Sequence, residues 1–159
     1  MSALKDRQID GFVSWEPNNA DAAIAGDGYY SSLDIGANPA HNINGMIAVG
    51  AAFLQSHRQA MLGFVRAAID ATNSLNADPS KYAEVAMKGT GSSPAVIKEA
   101  IPRGKLDYNL YAKEARALLK MVYDAKLTQI DTSGGVEKQF DYSLLSEAAG
   151  KPKNQLGGE

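Results

Sequence analysis

An α/β chain that becomes helix-rich after residue 50 is the fold class this sequence predicts, and three observations predict it. The first is Gln8-Ile9-Asp10-Gly11-Phe12-Val13-Ser14-Trp15-Glu16-Pro17-Asn18-Asn19, a short apolar run that stops at a Glu-Pro pair and turns into a helical pattern. The second is the alternation through residues 1–36 of helix end, strand, helix and strand, the order of a mostly parallel sheet. The third is the loss of strand-like pattern beyond Gly45–Val49, after which apolar residues recur at helical intervals to the end of the chain.

The elements follow in order. Ile9, Phe12, Val13 and Trp15 suit a buried strand over about Ile9 to Ser14, and Pro17, with its fixed φ, suits the first position of a following helix. Ala20, Ala22, Ala23, Ile24 and Ala25 give that helix a small apolar face, and Gly26-Asp27-Gly28 ends it. Tyr29 to Asp34 reads as a second short strand. The Gly36–Asn42 loop is dense in turn residues and is a candidate hinge entry, leading into a strand at Gly45–Val49. Ser56-His57-Arg58-Gln59 has capping-box spacing, and Met61, Phe64, Val65, Ala68, Ile69, Thr72 and Leu75 then repeat as on one helix face. Asp78-Pro79 and Ser93-Pro94 are cap-then-proline helix starts. A long helix is expected over about Asn109 to Leu127, and a last one near Tyr142–Ala149. Met61, Phe64, Val65, Ala68, Leu118, Leu119 and Val122 are the expected core of the later part. Residues 150–159, rich in Lys, Pro, Asn and Gly, read as a frayed tail.

Composition narrows the function classes. At 159 residues, with 45% apolar and 21% charged residues, the chain has the balance of a globular protein with one ordinary core. No apolar run reaches the roughly 18 residues that span a bilayer, and Met1–Gln8 lacks the apolar centre of a signal peptide. Without cysteine there are no disulfides, thiolate metal sites or cysteine nucleophiles. Residues 1–50 hold two basic and six acidic groups, and the remainder is nearly balanced, so no basic stripe offers itself to nucleic acid.

Most chemical motifs are absent. His41 and His57 have no metal-ligand spacing around them, and no cofactor is expected. Ser14 has no nucleophile elbow, and Lys88-Gly89-Thr90-Gly91-Ser92-Ser93 follows a helix and lacks the spacing of a phosphate loop. The constellation that remains is Trp15, Glu16, Asn18 and Asn19 at the strand-to-helix junction, with Asn42 and Asn44 near the hinge. A helix N-terminus offers N–H groups to a ligand at the usual ligand side of an α/β sheet. Residue types alone favour a plainer reading, with Trp15 as core, Glu16 as a partner of the helix dipole and Pro17 as a helix starter.

Asp-Gly-Phe-Val, Trp-Glu-Pro and Gly-Asp-Gly-Tyr, in that order between Ile9 and Tyr30, resemble the second half of the solute-binding proteins of nitrate/sulfonate/taurine-type ABC importers and their thiamine-precursor-binding relatives. The order continues in Gly45–Val49, in Phe53-Leu54-Gln55-Ser56-His57, where Arg58 replaces the family's usual proline, and in Phe140-Asp141-Tyr142-Ser143-Leu144-Leu145.

The resemblance implies the second half of a type II periplasmic-binding-protein fold. Residues 1–40 would be part of lobe 2, residues 41–50 the hinge and return strand, and residues 51–149 the C-terminal helical part of lobe 1. It implies a C-terminal portion of a longer, non-enzymatic, periplasmic protein that binds a small polar solute and presents it to an inner-membrane ABC permease. Trp15 would be an aromatic wall, Glu16 an acceptor for an amine or hydroxyl, and Asn18 and Asn19 donors to an anionic oxygen. Exposed strand edges in such a portion would favour a homo-oligomer or segment exchange. The alternatives are a thiamine-pyrimidine synthase relative, which shares the fold, and a helical interaction module.

Overall fold

The computed structural model describes residues 2–31, 45–104 and 106–158. They form eight α-helices: α1 Ser2–Lys5, α2 Asn18–Ala25, α3 Ala51–Ser56, α4 Arg58–Ala77, α5 Pro79–Thr90, α6 Pro94–Ala100, α7 Ala112–Asp124 and α8 Tyr142–Ala149. Short 3₁₀ turns lie at Ile101–Arg103, Val136–Gln139 and Lys153–Gln155. The helix-rich character after residue 50 is therefore present. Two compact units share these elements, one drawn from residues 1–33 and 72–107, the other from residues 34–71 and 108–159.

The first unit holds α1, α2, α5 and α6. Its centre is the packing of α2 on α6, where Ala20 is fully buried against Val96 and Ala100. Alanines at the contact allow the helices to approach closely. The cap-then-proline starts form as expected: the Asp78 carboxylate accepts from the backbone N–H of Ser80 at 3.0 Å and of Lys81 at 3.2 Å, and Ser93 Oγ accepts from Val96 N–H at 3.4 Å. The Ser80 hydroxyl, the largest influence, and these N–H groups hold the Asp78 carboxyl below its ordinary range. Gly26 closes α2 in the left-handed region, φ 75°, where a side chain would be strained.

Residues 9–15 have no strand structure, and neither do residues 45–50. These were the expected strands at Ile9–Ser14 and Gly45–Val49. A strand exists by pairing, and among the described residues no extended neighbour is hydrogen-bonded to either segment. The burial that would favour β structure is missing too, since Val13 and Trp15 are 82% and 73% exposed. The strand expected at Tyr29–Asp34 falls partly outside the described residues, and Tyr29–Ser31 are irregular.

The second unit is built on α4, α7 and α8. Ile69, Ala112, Tyr142, Leu145 and Leu156 form its core, with Val65, Tyr108, Leu110 and Phe140 packed around them. The expected core face is rotated. Leu62 is buried and Phe64 is 48% exposed, whereas Met61, Val65, Ala68, Leu118, Leu119 and Val122 are half-buried. At about 100° per residue Phe64 stands nearly opposite Leu62, so the stripe through Leu62, Val65 and Ile69 excludes it. The capping box expected at Ser56 does not form. Ser56 Oγ bonds back to Ala52 O at 2.9 Å, and His57 ends α3, stacked on Phe53 with ring centroids 4.4 Å apart.

The tail, expected to fray, is docked. Leu156 is fully buried, and its carbonyl accepts from Leu110 N–H at 2.9 Å. Gly157, at φ 83°, passes so close to Leu110 that a Cβ would lie 2.7 Å from its carbonyl oxygen. Beneath the tail, the Tyr142 hydroxyl receives Ala112 N–H at 3.4 Å and lies against the carbonyl oxygens of Leu110 and, at 3.1 Å, Gly157.

Candidate functional site

The Trp15–Asn19 junction lies in the first unit, at the start of α2. Glu16, joined to Pro17 by a cis peptide bond, sends its carboxylate forward over the helix end. Oε2 accepts from Ala20 N–H at 3.0 Å, and Oε1 accepts from the Tyr30 hydroxyl at 3.1 Å. Glu16 thus serves as the side-chain cap of α2, placing negative charge at the positive end of the helix. Asn18 N–H is taken by Trp15 O at 3.1 Å. With Ala20 N–H also engaged, the helix start offers a ligand less than its sequence implied.

Ser14 collects the two asparagines. Asn18 Nδ2 donates to Ser14 Oγ at 3.0 Å and Asn19 Nδ2 to Ser14 O at 2.8 Å. Each amide nitrogen carries two hydrogens, so each has donor capacity beyond these bonds. Trp15 is the one tryptophan of the chain, and its exposed ring stands where an aromatic wall was expected. Trp15, Glu16, Asn18 and Asn19 are brought together. Asn42 and Asn44, the other two expected site residues, lie outside the described residues, as does His41.

Three further residues complete the cluster. Tyr30, bound to Glu16, carries the Arg103 guanidinium over its ring, 3.7 Å from the centroid, and Arg103 pairs with Glu99 at 2.8 Å. Burial above all, then the Glu16 hydrogen bond and charge, push the Tyr30 hydroxyl up to about 12, against an opposing pull from Arg103. At neutral pH it is a proton donor. Arg103 reaches Tyr30 because α6 runs straight into the 3₁₀ turn Ile101–Arg103. The Glu99–Arg103 pair is readable from its four-residue spacing, but no local pattern announces the meeting of Arg103 with Tyr30.

An open groove of about 300 Å³ lies in the same unit, lined by Pro79, Ala83, Met87, Pro94, Lys98 and Ile101. Among the described residues no group of three His, Cys, Asp or Glu side chains is placed to hold a metal ion, and no helix is long and apolar enough to cross a membrane.

The junction thus sets an exposed aromatic ring beside a hydrogen-bonded carboxylate and two side-chain amides. The model of the NMT1-like family matches residues 1–88, and the chain belongs to that family. It is a solute-binding, transport-related family of the nitrate/sulfonate/taurine class. The matched segment contains the Trp15–Asn19 junction and Tyr30. No curated protein and no solved structure matches the chain.

Proposed function

We propose that this chain is the substrate-binding component, or the C-terminal portion of one, of an ABC importer for a small polar solute of the nitrate/sulfonate/taurine/thiamine-precursor class. The observation that carries this reading is the family match over residues 1–88, within which Trp15, Glu16, Asn18 and Asn19 are assembled at one helix start. Trp15 covers the apolar part of the solute, and the Asn18 and Asn19 amides donate to its anionic oxygens. The protein acts by binding and presentation to an inner-membrane permease, without chemical change to the solute, and does so in the periplasm.

Calorimetric titration against sulfonates, nitrate, amines and pyrimidines tests the reading. Saturable binding of one class, weakened at least tenfold by Trp15→Ala, with the solute recovered unchanged, is the expected result. Binding that Trp15→Ala leaves intact would move the site elsewhere, and conversion of the solute would replace transport by catalysis.

A further inference from the structure

We propose that Tyr30 sets the charge preference of the junction by occupying Glu16 in place of a cationic group of the solute. The inference rests on the proposed solute site and adds to it a residue that selects among solutes. Glu16 is the only acid in the Trp15–Asn19 segment, and a bare carboxylate there would favour ammonium-bearing solutes and repel plain anions. In the structure it is not bare. Its Oε2 is tied to Ala20 N–H, its Oε1 holds the Tyr30 hydroxyl, and the Arg103 guanidinium lies over the face of the tyrosine ring.

This arrangement is held from behind. Arg103 covers the Tyr30 ring while paired with Glu99, so the ring is clamped by a group that itself has an anchored partner. An arriving ammonium must share Oε1 with the phenol or displace it. An anion meets a carboxylate already answered by two donors and a neighbouring guanidinium, so its repulsion is reduced. The hydroxyl is therefore a built-in competitor of cationic groups and a permit for anionic ones.

Taurine and ethanesulfonate form a matched pair, alike except for the ammonium group. Titration of the chain and of Tyr30→Phe, which keeps the ring under Arg103 and removes only the hydroxyl, reads the preference as a ratio of affinities. The expected result is a shift of about tenfold toward taurine, the scale of one hydrogen bond to a charged group. A ratio that is unchanged, or that moves toward ethanesulfonate, overturns the inference and leaves the solute site standing. Failure of the unsubstituted chain to bind either compound overturns the inference, and it overturns the solute site as well when nitrate, amines and pyrimidines also fail to bind. Should Tyr30→Phe not fold, the unsubstituted chain decides: taurine should produce an ultraviolet difference signal from a tyrosine changing its hydrogen-bond partner, and ethanesulfonate should not. Equal signals from both would refute the competition.

Discussion

Glu16 illustrates how one side chain serves helix and site together. Its carboxylate closes α2 through Ala20 N–H and fixes Tyr30, so the reading of Glu16 as a helix-end residue and its reading as a ligand group describe the same atoms. Replacing Glu16 by Ala removes the side-chain cap and is expected to lower stability by about 1 kcal/mol in denaturant unfolding, the ordinary loss for a cap. Tyr30 gives a second expectation at this scale. Its proton is held more tightly in the folded chain, pushed up to about 12 from an ordinary 10.0, so its contribution is complete below about pH 10 and is lost as pH rises from about 10 to 12. Burial also pushes the Tyr142 hydroxyl up, so ultraviolet titration should show a late-ionising tyrosine fraction that Tyr30→Phe reduces and does not abolish.

At the scale of elements, what was legible in the sequence was mainly local. Asp78-Pro79 and Ser93-Pro94 start α5 and α6 because cap and proline act on their own helix end, and α8 occupies Tyr142–Ala149 as its pattern indicated. Ser93→Ala should therefore cost about 1 kcal/mol. The expected face of α4 differs from the buried one because the apolar residues Met61, Leu62, Phe64 and Val65 spread over nearly half its circumference, and only packing selects which of them is buried. Leu62→Ala is expected to cost about 2–5 kcal/mol, and Phe64→Ala much less, when both are measured by chemical unfolding. Equal losses would contradict the assigned face.

The tail shows the opposite error. Its polar composition conceals one apolar anchor, Leu156, beside a glycine whose positive φ lets it reach Leu110. Gly157→Ala should undock it, seen as faster hydrogen exchange at the Leu110 amide. Strand pairing was illegible for a different reason. It depends on a neighbour, and Ile9–Ser14 and Gly45–Val49 have an apolar pattern without one among the described residues.

At the scale of the whole molecule, both units present apolar side chains to solvent: Val13, Trp15 and Tyr29 in the first, and Ile47, Leu127 and Ile130 in the second, each more than two-thirds exposed. Exposed apolar surface of this kind is commonly covered by association. Light scattering is expected to show a mass that rises with concentration in the micromolar range, and a constant monomer mass would contradict it. That Trp15, Glu16, Asn18 and Asn19 gather at one helix start was legible in the sequence, because an aromatic, an acid and two amides around a single Glu-Pro pair are a local signal. Tyr30, Glu99 and Arg103 were not, since they join the site through the packing of α2 on α6.

The central claim is that a small solute binds against Trp15. Because Trp15 is the sole tryptophan and is 73% exposed, tryptophan emission reports on this residue alone. Titration with taurine and with ethanesulfonate, alongside calorimetry on the same samples, is the direct measurement. The account predicts a saturable blue shift of the emission for at least one of them, with a midpoint matching the calorimetric affinity. Calorimetric binding with unchanged tryptophan emission would contradict it, as would no binding of these two solutes or of nitrate, amines and pyrimidines.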